Sequence, residues 1–172
     1  MSRRLEYAIA FDAPPEKIYQ DFTSREYWQT LMGAYRAQGV PRSEVTSFRS
    51  DDHGTEVVFI HVVPREYLPP IARSVMPVDM VITRTQRFDP YDHDQNRARG
   101  DYTATVTAGP GHFGGRYVLT ETDTGSTLRL ASECRVWIPF VGGKLETLIL
   151  DGMVDVFRSE EAFTADWIAR HH

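Results

Sequence analysis

The chain of 172 residues is 41% apolar, 12% aromatic and 25% charged. That balance excludes an intrinsically disordered polymer and predicts one domain over residues 1–172, long enough to bury roughly 70% of its unfolded surface. The net charge of -5 and a pI near 5.7 oppose nucleic-acid binding, because such a partner calls for a basic footprint.

From Arg3 to Phe11 the residues Leu5, Tyr7, Ile9 and Phe11 alternate with polar or small ones, the pattern of a half-buried strand. Arg3-Arg4 has no apolar stretch behind it, since Glu6 interrupts, so no signal peptide is read. Asp12-Ala13-Pro14-Pro15 stops the strand. Proline at the first helical turn and Glu16 behind it then start a short helix carrying Ile18, Tyr19 and Phe22. Thr23-Ser24 caps a second short helix with Tyr27, Trp28, Leu31, Met32 and Tyr35 on its apolar stripe, and Gly39-Val40-Pro41 ends it.

The period then changes to two. Six strands are predicted, at 43–50, 55–63, 78–89, 97–108, 113–122 and 126–138, joined by turn clusters such as Asp51-Asp52-His53-Gly54 and Thr122-Asp123-Thr124-Gly125. Short turns between consecutive strands make an antiparallel meander. The one longer connection, Pro64 to Pro77, holds four prolines with apolar residues between them, room for a short helical turn. From Pro139 to His172 the period returns to 3.6, with Leu145, Leu148, Ile149, Gly152, Met153, Val156, Phe157, Phe163 and Trp167 near one broad face and Glu161 off it. A helix of about 28 residues is about 42 Å long, enough to lie across the sheet. The order is that of an α+β fold with helices on one face of a seven-stranded antiparallel sheet.

Three stretches carry a resemblance. They are Phe11-Asp12-Ala13-Pro14-Pro15-Glu16-Lys17-Ile18-Tyr19, then Thr23-Ser24-Arg25-Glu26-Tyr27-Trp28, and Ile138-Pro139-Phe140-Val141-Gly142-Gly143-Lys144-Leu145-Glu146 together with Glu161 to Trp167. In these, and over nearly its whole length, the chain resembles the START-like or helix-grip superfamily (SRPBCC), which includes the birch pollen allergen type, polyketide cyclases and lipid-transfer domains. It looks closest to a bacterial branch whose members have no assigned function. The resemblance implies a curved sheet wrapped around the long last helix, with an apolar cavity between them. It implies a hydrophobic small-molecule ligand, whether lipid, sterol or polyketide-like. Because a fold hosts many functions, that carry-over is analogy.

On that resemblance the cavity is expected to be lined by Tyr7 and Ile9 from the first strand, Trp28 from the second helix, Met80, Ile82 and Arg84 from strand 78–89, Tyr102 and Ala104 from strand 97–108, Cys134 and Val136 from the last strand, and Leu145, Leu148, Ile149 and Met153 from the last helix. In the strand 97–108 the inward set Ala98, Gly100, Tyr102, Ala104, Val106 and Ala108 is mostly small, which lets the helix pack close or leaves space. Arg84 and Gln86 share a face with Val78, Met80, Ile82 and Phe88. Either they enter the interior, where a guanidinium needs a partner, or the alternation breaks at a bulge near Thr83, or both sit at a wet rim. The side of His61 stays undecided, because both faces of its strand are apolar.

No Gly-x-Ser-x-Gly elbow, phosphate loop or His-Glu-x-x-His helix is present. Asp92-His93-Asp94 reads as a solvated turn, and Cys134, the single cysteine, as a small core residue that excludes an internal disulfide. No metal and no cofactor are expected. The longest apolar run, Val57 to Val63, is far short of the about 20 residues of a membrane helix, so a cytoplasmic location with no integral membrane segment is expected. The leading expectation is binding or transport of a hydrophobic small molecule, by a monomer or homodimer. The alternative is a cyclase, aromatase or hydratase using Arg84, His61, Tyr102 or Tyr7 on a carbonyl or enol. A third is a protein-interaction module using a sheet edge or an outward Trp137.

Overall fold

β1 (Arg3–Phe11) leads into α1 (Pro15–Phe22) and α2 (Arg25–Ala37). A meander follows: β2 (Arg42–Asp51), β3 (Gly54–Val63), β4 (Met80–Phe88), β5 (Arg97–Val106), β6 (Gly111–Thr122) and β7 (Gly125–Val136). Between β3 and β4 lie a 3-10 turn, Arg65–Tyr67, and the one-turn helix α3 (Pro70–Arg73); α4 (Gly142–His171) ends the order. The computed structural model describes residues 3–107 and 109–172, so the inward position expected for Ala108 lies outside the described residues.

The seven strands form one antiparallel sheet in the order β1-β7-β6-β5-β4-β3-β2. β1, first in the chain, pairs with β7, last of the strands, from Arg3↔Cys134 to Phe11↔Ser126. α1 and α2 therefore carry the chain from one edge of the sheet to the other. The sheet curves, and α4 runs on its covered face. This is the helix-grip architecture, α+β.

Register rows across the sheet place the interior side chains. One row runs Phe59–Arg84–Ala104–Phe113–Cys134. On one side of it lies Val57–Gln86–Tyr102–Gly115–Ser132. On the other lies His61–Ile82–Val106. Gly115 has a specific purpose in its row. A Cβ there would sit 2.7 Å from the Tyr102 hydroxyl, so only glycine lets that ring cross the strand and bond Ser132 Oγ.

The core is densest where α1, α2 and the last turns of α4 meet the sheet. Ile18, Val57, Phe59 and Leu119 are wholly buried. Trp28 stacks on Phe59 at 5.4 Å and its indole N–H donates to the Phe22 carbonyl at 2.8 Å. Tyr27 packs edge-on against Trp28, Phe163 and Trp167. Such aromatic pairs add about 0.5–1.5 kcal/mol each beyond area burial.

Several boundaries differ from the sequence reading. β4 begins at Met80, and Val78 stands in solvent at 64% exposure. β3 and β4 pair without interruption from Thr55↔Phe88 to Val63↔Met80, so no bulge forms at Thr83. The register shift is in β2, between Val45 and Ser47, an edge strand that tolerates an extra residue. Ser24 holds the N-cap position of α2 without a side-chain bond. Thr23 instead donates back to the Tyr19 carbonyl at 2.8 Å and closes α1. β7 ends at Val136, leaving Trp137 55% exposed under the Arg135 guanidinium, as the strand phase implies. α4 has 30 residues, about 45 Å. No helix among the described residues is long and apolar enough to cross a membrane.

Candidate functional site

Past its first turns, where Glu146 bonds Val136 of β7, the N-terminal half of α4 and the sheet stand apart. They enclose a cavity of about 390 Å³, within the usual range of about 300–1,000 Å³ for small-molecule pockets. Its floor is Met80 and Ile82 from β4, Ala104 and Val106 from β5, and Cys134 and Val136 from β7. Its roof is Leu145, Leu148, Ile149, Gly152 and Met153 of α4. One side wall is Leu68, Val75 and Met76 from the proline-rich connection. No Asp, Glu, Lys or Arg lines it among the described residues. Leu148 and Ile149 are each 37% exposed, so they form its mouth. Gly152, on the same wall, is exposed, and nothing lies within 4 Å of where its Cβ would be.

A second, smaller chamber of about 80 Å³ lies toward the C-terminal half of α4. Arg84, Gln86, Tyr102, Glu160 and Glu161 line it, with Ile9 and Trp28. The two chambers share Ala104, Phe113 and Met153 as common lining. Ala104 is the low point, because it stands between Arg84 and Phe113 in one register row and carries only a methyl.

Arg84 is 7% exposed and points inward. Its partner is Glu160 of α4, which accepts two N–H bonds at 2.9 and 3.2 Å. The guanidinium also lies over the Phe59 ring at 4.7 Å. Burial opposes its charge, and the Glu160 carboxylate more than offsets this, holding the guanidinium protonated. Such a pair is strongly destabilising only when one member is removed.

His61 is buried beside this pair, its ring 4.6 Å from that of Tyr35. Ser43 Oγ donates to the Val40 carbonyl and lies 2.9 Å from His61 Nδ1. Nδ1–H is therefore the donor to Ser43, and the imidazole is neutral with Nε2 as a bare acceptor. His61 Nε2 and the Tyr35 hydroxyl are buried without a hydrogen-bond partner. Burial, with Arg84 nearby, depresses the His61 pKa to about 3. Burial, with Glu146 nearby, pushes the Cys134 thiol up to about 11, which keeps it an inert core group.

All the expected lining residues except Tyr7 lie on the wall of one chamber or the other. Tyr7 belongs to edge strand β1. Its ring packs on Phe157 at 5.6 Å, and its hydroxyl donates to Glu161 at 3.1 Å, which draws it off the cavity wall. Glu161, read as lying off the apolar face, turns inward to receive that bond. Arg84 sits neither at a bulge nor at a wet rim. Its side was open because its partner lies on another element. Glu160 itself was missed. A signal was available, for Met153, Glu160 and Trp167 fall two turns apart on one line of the helix. Among the described residues no group of three or more His, Cys, Asp or Glu is placed to hold a metal ion.

Residues 6–168 match the family described as "Protein of unknown function (DUF2505)". The chain belongs to that family. An uncharacterized protein of Mycobacterium tuberculosis is 26% identical over 178 residues, covering 99% of each chain. Among solved structures, a Mycobacterium smegmatis protein superposes with a TM-score of 0.60 at 13% identity, covering 98% of this chain and 92% of that one. Norcoclaurine synthase from Thalictrum flavum has a TM-score of 0.57 at 12% identity, covering 99% and 88%. A second structure of that enzyme, in complex with dopamine and hydroxybenzaldehyde, has a TM-score of 0.53 at 13% identity, covering 100% and 89%. At these identities the likeness is one of fold, the helix-grip fold.

Proposed function

We propose that the protein, acting as one domain over residues 1–172, binds a hydrophobic small molecule in the cavity between sheet and α4. The observation that carries this reading is the 390 Å³ chamber with no charged side chain on its wall. A folded interior is close-packed, and an apolar void of this size forfeits dispersion contacts unless something fills it. A norcoclaurine synthase of the same fold, in complex with two small aromatic molecules, supports a ligand-holding use of such a scaffold.

Turnover has less support. Arg84 is neutralised by Glu160, and the neutral His61 is not among the residues lining either chamber. The reading is tested with a neutral naphthylamine fluorophore whose emission rises in apolar surroundings. Saturable binding to the wild type, lost in Gly152→Trp with the circular dichroism unchanged, is the expected result. Unsaturable binding, or equal binding by the variant, overturns it.

A further inference from the structure

Resting on that reading, we infer that the ligand is an amphiphile without an anionic head, whose single hydroxyl or carbonyl oxygen enters the small chamber beside Arg84, and that the Arg84–Glu160 pair is the device that rejects anionic head groups. The large chamber, about 390 Å³ with no charged wall, takes the hydrocarbon portion. Its inner end is the Ala104 methyl, and Ala104 is the direct cross-strand neighbour of Arg84. A head group passing over Ala104 meets Arg84, Gln86 and Tyr102.

The charge state of that end decides what it accepts. Two of the Arg84 N–H donors go to Glu160, so N–H groups remain for a neutral oxygen without breaking the pair. Arg84 carries one positive charge and Glu160 already neutralises it, so a carboxylate or phosphate can claim that charge only at the expense of Glu160. To gain it, the ligand must displace Glu160, whose side chain is 16% exposed, and leave that carboxylate buried and unpaired. Glu161, which lines the same chamber and accepts its bond from the neutral Tyr7 hydroxyl, adds a second carboxylate there and further opposes an anion. Glu160 thus acts as a resident counter-ion occupying the place an anionic head would need.

The test compares dodecanol, dodecanoate and dodecane as competitors of the naphthylamine fluorophore on wild-type protein, below their aggregation limits at pH 8. Dodecanol is expected to compete at a concentration about tenfold or more below that of the acid, since each 1.4 kcal/mol of discrimination is tenfold. It is also expected to compete better than dodecane. In Glu160→Gln, with the fold checked by circular dichroism, the ratio shifts by about tenfold toward dodecanoate, because Arg84 is then free. Ala104→Leu, which fills the passage, is the second variant and is expected to erase the preference for dodecanol over dodecane. Dodecanoate competing as well as dodecanol overturns the inference and leaves the cavity reading standing. So does an Ala104→Leu protein that keeps the dodecanol preference. Failure of the fluorophore and every competitor to bind overturns both.

Discussion

Among single residues, two inward polar side chains on neighbouring strands meet burial in opposite ways. Arg84 keeps its charge because Glu160 reaches it in bidentate geometry. His61 gives up its charge, with Nδ1–H spent on Ser43 and Nε2 left bare. The second choice has a consequence for pH. The folded His61 pKa is depressed to about 3 from the ordinary 6.5, so between those values the unfolded chain binds a proton that the native protein refuses. Stability from this group is whole above pH 6.5 and is lost as pH falls toward 3. Going from pH 7 to pH 5, the native state loses about 2 kcal/mol through His61. Urea denaturation at the two pH values, compared with His61→Asn, isolates the contribution. The variant is expected to lose about 2 kcal/mol less, and an equal loss in both proteins contradicts the assignment.

Among elements, α4 is two different helices joined end to end. Its C-terminal half is locked to its surroundings by Arg84–Glu160, by the Tyr27–Thr164 hydroxyl bond at 2.7 Å, and by the Trp167 indole N–H donating to Asp21 at 3.0 Å. Its N-terminal half is held mainly at the first turn, where the buried Glu146 carboxylate accepts the Val136 N–H at 2.9 Å. Between these anchors the helix spans the cavity, and Gly152 faces open space. Gly152→Ala is therefore expected to raise stability by roughly 0.5–1 kcal/mol, through helix propensity with no clash. A thermal melt is the readout, and a lowered midpoint contradicts the placement of Gly152. The apolar stripe of α4 was legible from its 3.6 period. The buried Glu146 and Glu160 were not, since a carboxylate within an apolar stripe has meaning only once its partner is known.

At the scale of the whole molecule, the β1–β7 pairing joins the first and last strands and forces α1 and α2 across the open side of the sheet. Packing is then dense at the aromatic end and sparse over the cavity. Local stability should follow that division. Amide exchange is expected to be faster over 145–153 than over 157–168. Saturating dodecanol should slow 68–76 and 145–153 together, because both walls contact the same ligand. Uniform protection along α4, unchanged by ligand, would contradict the division.

The sequence by itself determined the element order, the antiparallel meander and the inward faces of β5 and β7, because period-two and period-3.6 patterns are local and every turn carries its own chemistry. The cavity-lining set was an expectation carried by the resemblance, with strand and helix phase saying only which side chains share a face. The tertiary structure alone decided the rest. Arg84 lies 76 residues from Glu160 along the chain, and no local pattern encodes a partner at that distance. The same holds for His61, whose strand is apolar on both faces until Ser43 and Tyr35 arrive from other elements. Whether the small residues of β5 let α4 pack close or left space was also a question of distance between layers. The anchors at each end of α4 answer it by holding the helix off the sheet where Ala104 and Gly152 face each other's cavity.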